Sequence, residues 1–261
     1  MAAERKTALI TGASSGIGEE LARIHAAHGG DLVVVARRQD RLEALCAELE
    51  NTYRVTVHVL VKDLARDAAA QQIRDELRAR GVRVDYLVNN AGFGYRGFFH
   101  EQDWAVNEAM IRVNILAVAA LTRMFLPEMV ERRYGRVLNV ASMAGFVPGP
   151  LQSVYYASKA FVISFTEAVA NELRGTGVAL TVLCPGFTET EFGRVAGMAS
   201  IRSFSRTFSA REVAEIGYEA MLRGKTIVVP GILNRLFVRG LLRLAPRKLT
   251  TRISRRLMEK R

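Results

Sequence analysis

Tyr155 and Lys159, with Ser142 thirteen residues before the tyrosine, are the side chains of this chain best suited to proton chemistry at an oxygen atom. Four residues apart on a helix, a tyrosine and a lysine stand one above the other on the same face. The apolar-periodic run from Ala160 to Leu173 makes helix the expected state there. An ammonium beside a phenol favours phenolate and draws the tyrosine below its ordinary pKa of about 10. Such a phenol passes a proton to or from a carbonyl or alcohol oxygen near neutral pH. Tyr156 competes for the role, but its own fourth neighbour is Ala160. Ser142 ends the expected strand 136–141, and a hydroxyl there can donate to an oxygen on which negative charge builds. Each feature also has a plain counterpart, a solvated helix for the Tyr–Lys pair and a turn or cap for the serine.

A second constellation lies at the N-terminus. Thr7 to Ile10 reads as a short apolar strand, Thr11-Gly12-Ala13-Ser14-Ser15-Gly16-Ile17-Gly18 follows, and Glu19 to His28 reads as helix. Strand, glycine-rich turn and helix N-terminus together form a phosphate cradle, because free backbone N–H groups and the helix dipole face the anion. The spacing is GxxxGxG, which departs from the commoner GxGxxG fingerprint.

Taken with Asn89-Asn90-Ala91-Gly92, Asn114, Ser142 and the Tyr155–Lys159 pair, this loop resembles the short-chain dehydrogenase/reductase superfamily from about Lys6 to about Pro230. The resemblance implies an NADP(H)-dependent oxidoreductase acting on a ketone, aldehyde or alcohol. Tyr155, Lys159, Ser142 and Asn114 would be the catalytic set, with Asn114 holding a water that links Lys159 to solvent. Gly12, Ser14, Ser15, Gly16, Ile17 and Gly18 would cradle the pyrophosphate. Asp63 and Leu64 would flank the adenine, Asn90 would lie near the adenine ribose, and the small Ala91 and Gly92 would let the backbone approach the cofactor. Pro185, Gly186, Thr188 and Thr190 would reach the nicotinamide side, while Tyr155 and Lys159 would also touch the cofactor. Where an NAD-selective member carries an acidic residue, this chain has Arg37 followed by Arg38. Arginines opening a helix oppose its dipole, whereas a fork of N–H donors suits a 2′-phosphate, so NADP(H) is expected over NAD(H). The alternative is a non-enzymatic NADP-binding sensor or scaffold at a membrane surface.

These motifs need a scaffold, and strand and helix patterns alternate throughout. Strands are expected at Ala8–Ile10, Asp31–Ala36, Arg54–Leu60, Asp85–Asn89, Gly135–Ala141, Val178–Leu183 and Thr226–Val229, with helices near 17–28, 39–50, 65–80, 105–132, 152–174 and 210–222. That order predicts an α/β, doubly wound, Rossmann-type sheet of seven parallel strands with helices on both faces. It predicts one catalytic domain over 1–230, a lid over a substrate at about 186–209, and a tail at 231–261. Phe93, Tyr95, Phe98 and Phe99, Met143 to Phe146, and Phe187 to Met198 are candidate pocket residues, and their apolar character favours a lipophilic carbonyl compound. The long helices 105–132 and 152–174 are the expected surfaces of a homodimer or homotetramer.

With 261 residues, 49% of them hydrophobic, the chain can bury a full core. No run of 18 uninterrupted apolar residues predicts a membrane span. The first six residues show no signal-peptide pattern, and Cys46 and Cys184 sit as buried thiols would, so a reducing cytoplasm is the expected compartment. The scattered histidines 25, 28, 58 and 100 give no metal-ligand spacing. Net charge is +11, but ten Lys or Arg against Glu259 alone fall in 231–261, leaving about +2 for the rest. The body thus carries no nucleic-acid footprint. In the tail, Arg235, Arg239 and Arg243 form one stripe opposite an apolar face. Pro246 intervenes, and Leu249, Ile253 and Leu257 form a second stripe among Arg252, Arg255, Arg256 and Lys260. Basic amphipathic helices of this type suit an anionic membrane surface; packing on the body or on a partner subunit is the competing expectation.

Overall fold

The computed structural model describes residues 5–191, 207–241 and 245–259. Seven parallel strands form the central sheet: β1 (Thr7–Thr11), β2 (Asp31–Ala36), β3 (Val57–Val61), β4 (Tyr86–Asn89), β5 (Gly135–Val140), β6 (Val178–Leu183) and the last, β9 (Ile227–Val228), which follows two short strands paired with each other. Their spatial order is β3-β2-β1-β4-β5-β6-β9. Such strands need apolar residues on both faces, and Leu9, Val33, Val35, Leu87 and Val137 point one way while Ala8, Ile10, Val34, Val88 and Leu138 point the other.

Helices α1 (Gly16–Ala27), α2 (Gln39–Tyr53) and α6 (Ala210–Leu222) cover one face. The other is covered by α3 (Ala69–Ala79), α4 (Trp104–Glu131) and α5 (Ser153–Glu172). The chain order reverses between β1 and β4, and in open α/β sheets a ligand crevice lies at that switch, outside the strands' carboxyl ends. Two local departures from the sequence expectation have simple causes. α2 runs three residues past 50 before Arg54 turns left-handed at φ 57°, so β3 starts at Val57. α3 begins at Ala69, because Asp63 and the left-handed Ala68 (φ 57°) hold 63–68 in turns.

By length and composition α4 could cross a membrane, although it contains no uninterrupted apolar run of 18 residues. It instead buries Val113, Ala117, Leu121, Phe125 and Met129 on the sheet. Its middle, Arg112–Ala117, widens into a π-helical turn. The expected lid is described only at its two stems, where β7 (Thr188–Glu189) pairs in parallel with β8 (Phe208–Ser209); positions 192–206, Met198 among them, lie outside the described residues. In the tail, α7 (Ile232–Leu236) passes into a π-helical stretch, Phe237–Leu241, and α8 spans Arg247–Met258. Arg243 and Lys260 also lie outside the described residues.

Candidate active site

Thr11, at the end of β1, ties the two central strands together. Its hydroxyl donates to the Val88 carbonyl at 3.2 Å and accepts from the backbone N–H groups of Asn90 and Ala91, both at 3.0 Å. Asn90 answers with its amide, donating to the carbonyls of Thr11 at 2.9 Å and Gly12 at 3.2 Å. Gly12 turns at φ 68°, and a Cβ there would lie 2.8 Å from Asn90 Nδ2 and 2.9 Å from Ala91 Cα. A Cβ on Gly18 would collide with the same Asn90 amide and with the Gly12 carbonyl. The glycines therefore let the loop and the start of α1 close onto the NNAG turn, which leaves Ser14, Ser15, Gly16 and Ile17 around the helix N-terminus. Free N–H groups at that position make an anion site. Thr190 sits over it, 3.0 Å from where a Gly16 Cβ would stand.

Arg37 and Arg38, adjacent at the end of β2, part company. Arg38 Nη2 donates to the Ser14 carbonyl at 3.0 Å and Nη1 to Glu191 at 2.9 Å, so it straps the glycine loop to the segment just after β7. Arg37 is exposed beside that strap. Asp63 accepts from the Ala65 N–H at 3.0 Å, as a residue opening a turn does, and Leu64 is buried next to it. Pro185 accepts from the Met143 N–H at 2.9 Å, which fastens the Pro185–Gly186 turn to the residue after Ser142. Thr188 donates to the Gly186 carbonyl at 3.2 Å.

Ser142 is the N-cap of a 3₁₀ turn, Met143–Phe146, and its Oγ accepts from the Ala144 N–H at 3.1 Å. Its hydroxyl also stands beside the phenol of Tyr155, which is 6% exposed. Lys159 lies one turn further along α5, 5% exposed, with Nζ 5.8 Å from the Tyr155 ring centre and donating to the Val140 carbonyl at 2.9 Å. The expected lowering of the tyrosine pKa is reversed here. Burial pushes the Tyr155 phenol up, and the Ser142 hydroxyl opposes it. Burial also brings Lys159 down to about 8, against the pull of Cys184. Desolvation outweighs the neighbouring charge because both groups are enclosed.

Asn114 sits in the π-helical turn, where widened helices often carry a function. Its amide donates to the Phe93 carbonyl and to Ser158 Oγ, both at 3.0 Å, and accepts from the Phe93 N–H at 3.2 Å. A Cβ on Gly92 would lie 3.1 Å from Asn114 Oδ1 and 3.3 Å from Lys159 Nζ, which puts amide, ammonium and NNAG turn in one place.

Several contributors carry no sequence signal of their own. Asn89 donates to Asn139 at 2.9 Å and to Thr122 at 3.1 Å, and Asn139 donates to Thr166 at 2.9 Å. This buried chain fixes α4 and α5 to the centre of the sheet. Gly145 lets the 3₁₀ turn rest on the Lys159 backbone. On the substrate side, Phe93, Tyr95, Ala144, Val147 and Val154 pack round Met110, Tyr155 and Tyr156. Phe98 and Phe99 instead face outward, and Met143 and Phe146 pack beneath with Val118 and Ile163.

The family model for short chain dehydrogenases matches residues 6–198. Sulfoacetaldehyde reductase 2 of Chromohalobacter salexigens is 39% identical over 216 residues, covering 80% of this chain and 85% of its own. Very-long-chain 3-oxoacyl-CoA reductase of Homo sapiens is 31% identical over 224 residues, covering 84% of this chain and 71% of its own. A solved short-chain dehydrogenase from Sphingobium yanoikuyae, in complex with NADPH, superposes with a TM-score of 0.81 at 32% identity, covering 92% of this chain and 96% of that one.

Proposed function

The chain belongs to the short-chain dehydrogenase family of oxidoreductases, and within it we propose an NADP(H)-dependent enzyme that reduces a ketone or aldehyde, reversibly, on a lipophilic substrate. The observation that carries this reading is the Ser142 hydroxyl beside the Tyr155 phenol, with buried Lys159 one turn away on the same helix. The glycine loop suits a dinucleotide, because Gly12 and Gly18 let it close onto the NNAG turn while Ser15, the N-cap of α1, makes no side-chain cap hydrogen bond. When bound, NADPH supplies a hydride to the carbonyl carbon. Tyr155 delivers the proton to the carbonyl oxygen while Ser142 donates to the same oxygen as charge builds. Lys159 would hold the nicotinamide ribose, and Asn114 would hold a water that links Lys159 to solvent. Arg37 pairs with the 2′-phosphate.

Lipophilic substrates are supported by the lining of Phe93, Tyr95, Met110, Val147 and Val154 round the tyrosine pair. The relatives' names point both ways, to a long-chain acyl thioester and to a small sulfonated aldehyde. We place residues 1–230 in the catalytic domain and 231–261 in an appended tail. Homo-oligomer formation through α4 and α5 is supported by Leu116, 54% exposed, and by Phe161, 38% exposed and stacked on Phe165. The deciding experiment is NADPH oxidation against a panel of acyl thioester, steroid, quinone and small aldehyde carbonyls. Turnover concentrated in the apolar members is expected. Tight NADPH binding with no turnover anywhere would favour a sensor or scaffold instead.

A further inference from the structure

The C-terminal helix is packed with two residues of its apolar stripe, Leu249 and Ile253, outward and the third, Leu257, half-buried. α8 buries Thr250, Ser254 and Met258. Arg96 Nε donates to the Met258 carbonyl at 2.8 Å, and Ser254 lies beside the Tyr156 phenol. Leu249 and Ile253 are left 48% and 46% exposed, amid exposed Arg247, Lys248, Arg252, Arg255 and Arg256. α7 repeats the pattern. It buries Asn234, which donates to the Pro230 carbonyl at 2.9 Å and lies against Gly186, while Ile232, Leu233 and Leu236 are 70%, 75% and 64% exposed. A helix that hides threonine and serine and shows leucine and isoleucine has its partner outside the subunit, and an apolar patch rimmed by charge marks such a contact.

We propose that α7 and α8 together dock on an anionic phospholipid bilayer. Charge selects the occupant. Ten Lys or Arg against one Glu in 231–261 give +9, and a second copy of the chain would bring +9 against it. Nucleic acid would satisfy the cations but leave the exposed aliphatic side chains without a partner. A bilayer interface takes both, with aliphatic side chains in the acyl boundary and cations at the headgroups. Position adds a consequence that rests on the reductase reading. α8 lies against Tyr156, next in sequence to Tyr155, and α7 against Gly186, so docking turns the substrate side of the site toward the lipid. A carbonyl compound dissolved in the membrane then reaches Tyr155 without crossing water.

The test is flotation of the full chain with vesicles of phosphatidylcholine alone, and of phosphatidylcholine containing phosphatidylserine. Binding to the anionic vesicles at low ionic strength, weakened by salt, is expected. Arg252→Gln with Arg256→Gln should lower it about 25-fold, at roughly fivefold per charge. Leu249→Ser with Ile253→Ser should lower it at least about tenfold. NADPH oxidation with a water-soluble aldehyde, measured in parallel, should be unchanged in both variants, since only exposed side chains are altered. Full-length protein that stays with the unbound fraction at low salt overturns docking. So does equal binding to neutral vesicles, indifference to both double variants, or retention by duplex DNA without flotation. A chain that floats yet oxidises no NADPH across the carbonyl panel leaves docking standing and removes the reductase reading.

Discussion

Asn114 donates to the Ser158 hydroxyl at 3.0 Å, and that hydroxyl donates in turn to the Tyr155 carbonyl at 2.7 Å. The π-helical turn of α4 is thereby coupled to the backbone of the residue proposed to carry the proton. Asn114 also grips both backbone groups of Phe93, one residue past the NNAG turn. One amide thus sets the spacing between the cofactor turn and the catalytic helix.

Asn114→Ala should therefore cost more than a relay. It leaves the Phe93 N–H and carbonyl unpaired in the interior, a penalty of about 1–3 kcal/mol per buried group. Denaturant unfolding should show that loss. Asn114→Asp keeps the shape and the acceptor but sets a buried carboxylate oxygen against the Phe93 carbonyl, so kcat and stability should both fall. Equal kcat in Asn114→Ala and the parent protein would show that the coupling has no bearing on turnover.

Tyr155→Phe removes the proton donor and almost no volume. Turnover should fall by about 10²–10⁴-fold, the usual worth of general acid catalysis, with NADPH affinity nearly intact by fluorescence titration. Tyr156→Phe should keep most activity, because its phenol faces Ser254 of the tail helix. The reverse ranking of the two variants would move the acid to Tyr156.

The two arginines after β2 should separate by cofactor. Arg37→Ala should weaken NADPH by roughly 1.5–3 kcal/mol, the worth of a charged hydrogen bond, and leave NADH nearly unchanged. Arg38→Ala should weaken both cofactors, since Arg38 holds the Ser14 carbonyl and Glu191 together. Equal losses for NADPH and NADH in Arg37→Ala would mean that Arg37 does not meet the 2′-phosphate.

The alternation of elements and the local motifs were legible in sequence because their signals are short-range. Gly12 to Gly18 lie close together in sequence, Tyr155 and Lys159 share a helical repeat, and most strands are short, largely apolar runs. Contacts between distant segments were hidden. Arg96 meets Met258 across 162 residues, and no periodicity announces it. Asn89 and Asn139 pair only because β4 and β5 stand in that register. The phenol's pKa also went the other way, since spacing reports a neighbouring charge but not the depth at which both groups are buried. The outward stripe of α8 was visible as a pattern, yet which face would meet the body depended on Arg96 and Tyr156.

Lys159 provides a pH-dependent test of burial itself. Its pKa falls from an ordinary 10.5 to about 8 through desolvation. The unfolded chain therefore binds more protons than the folded one between those values, and the group's contribution to stability rises with pH across that window. Below about pH 8 the full cost of holding the buried ammonium is present, on the order of 3 kcal/mol at 1.36 kcal/mol per pKa unit. Lys159→Met removes the charge and leaves the Val140 carbonyl without its donor, a penalty that does not change with pH. The stability of the variant relative to the parent should thus be greatest near pH 7 and should shrink steadily toward pH 10. Urea titrations of both proteins at intervals over that range measure the difference directly. A difference that stays flat with pH would mean that Lys159 keeps its ordinary pKa in the folded protein, and that the ammonium is better solvated than its 5% exposure implies.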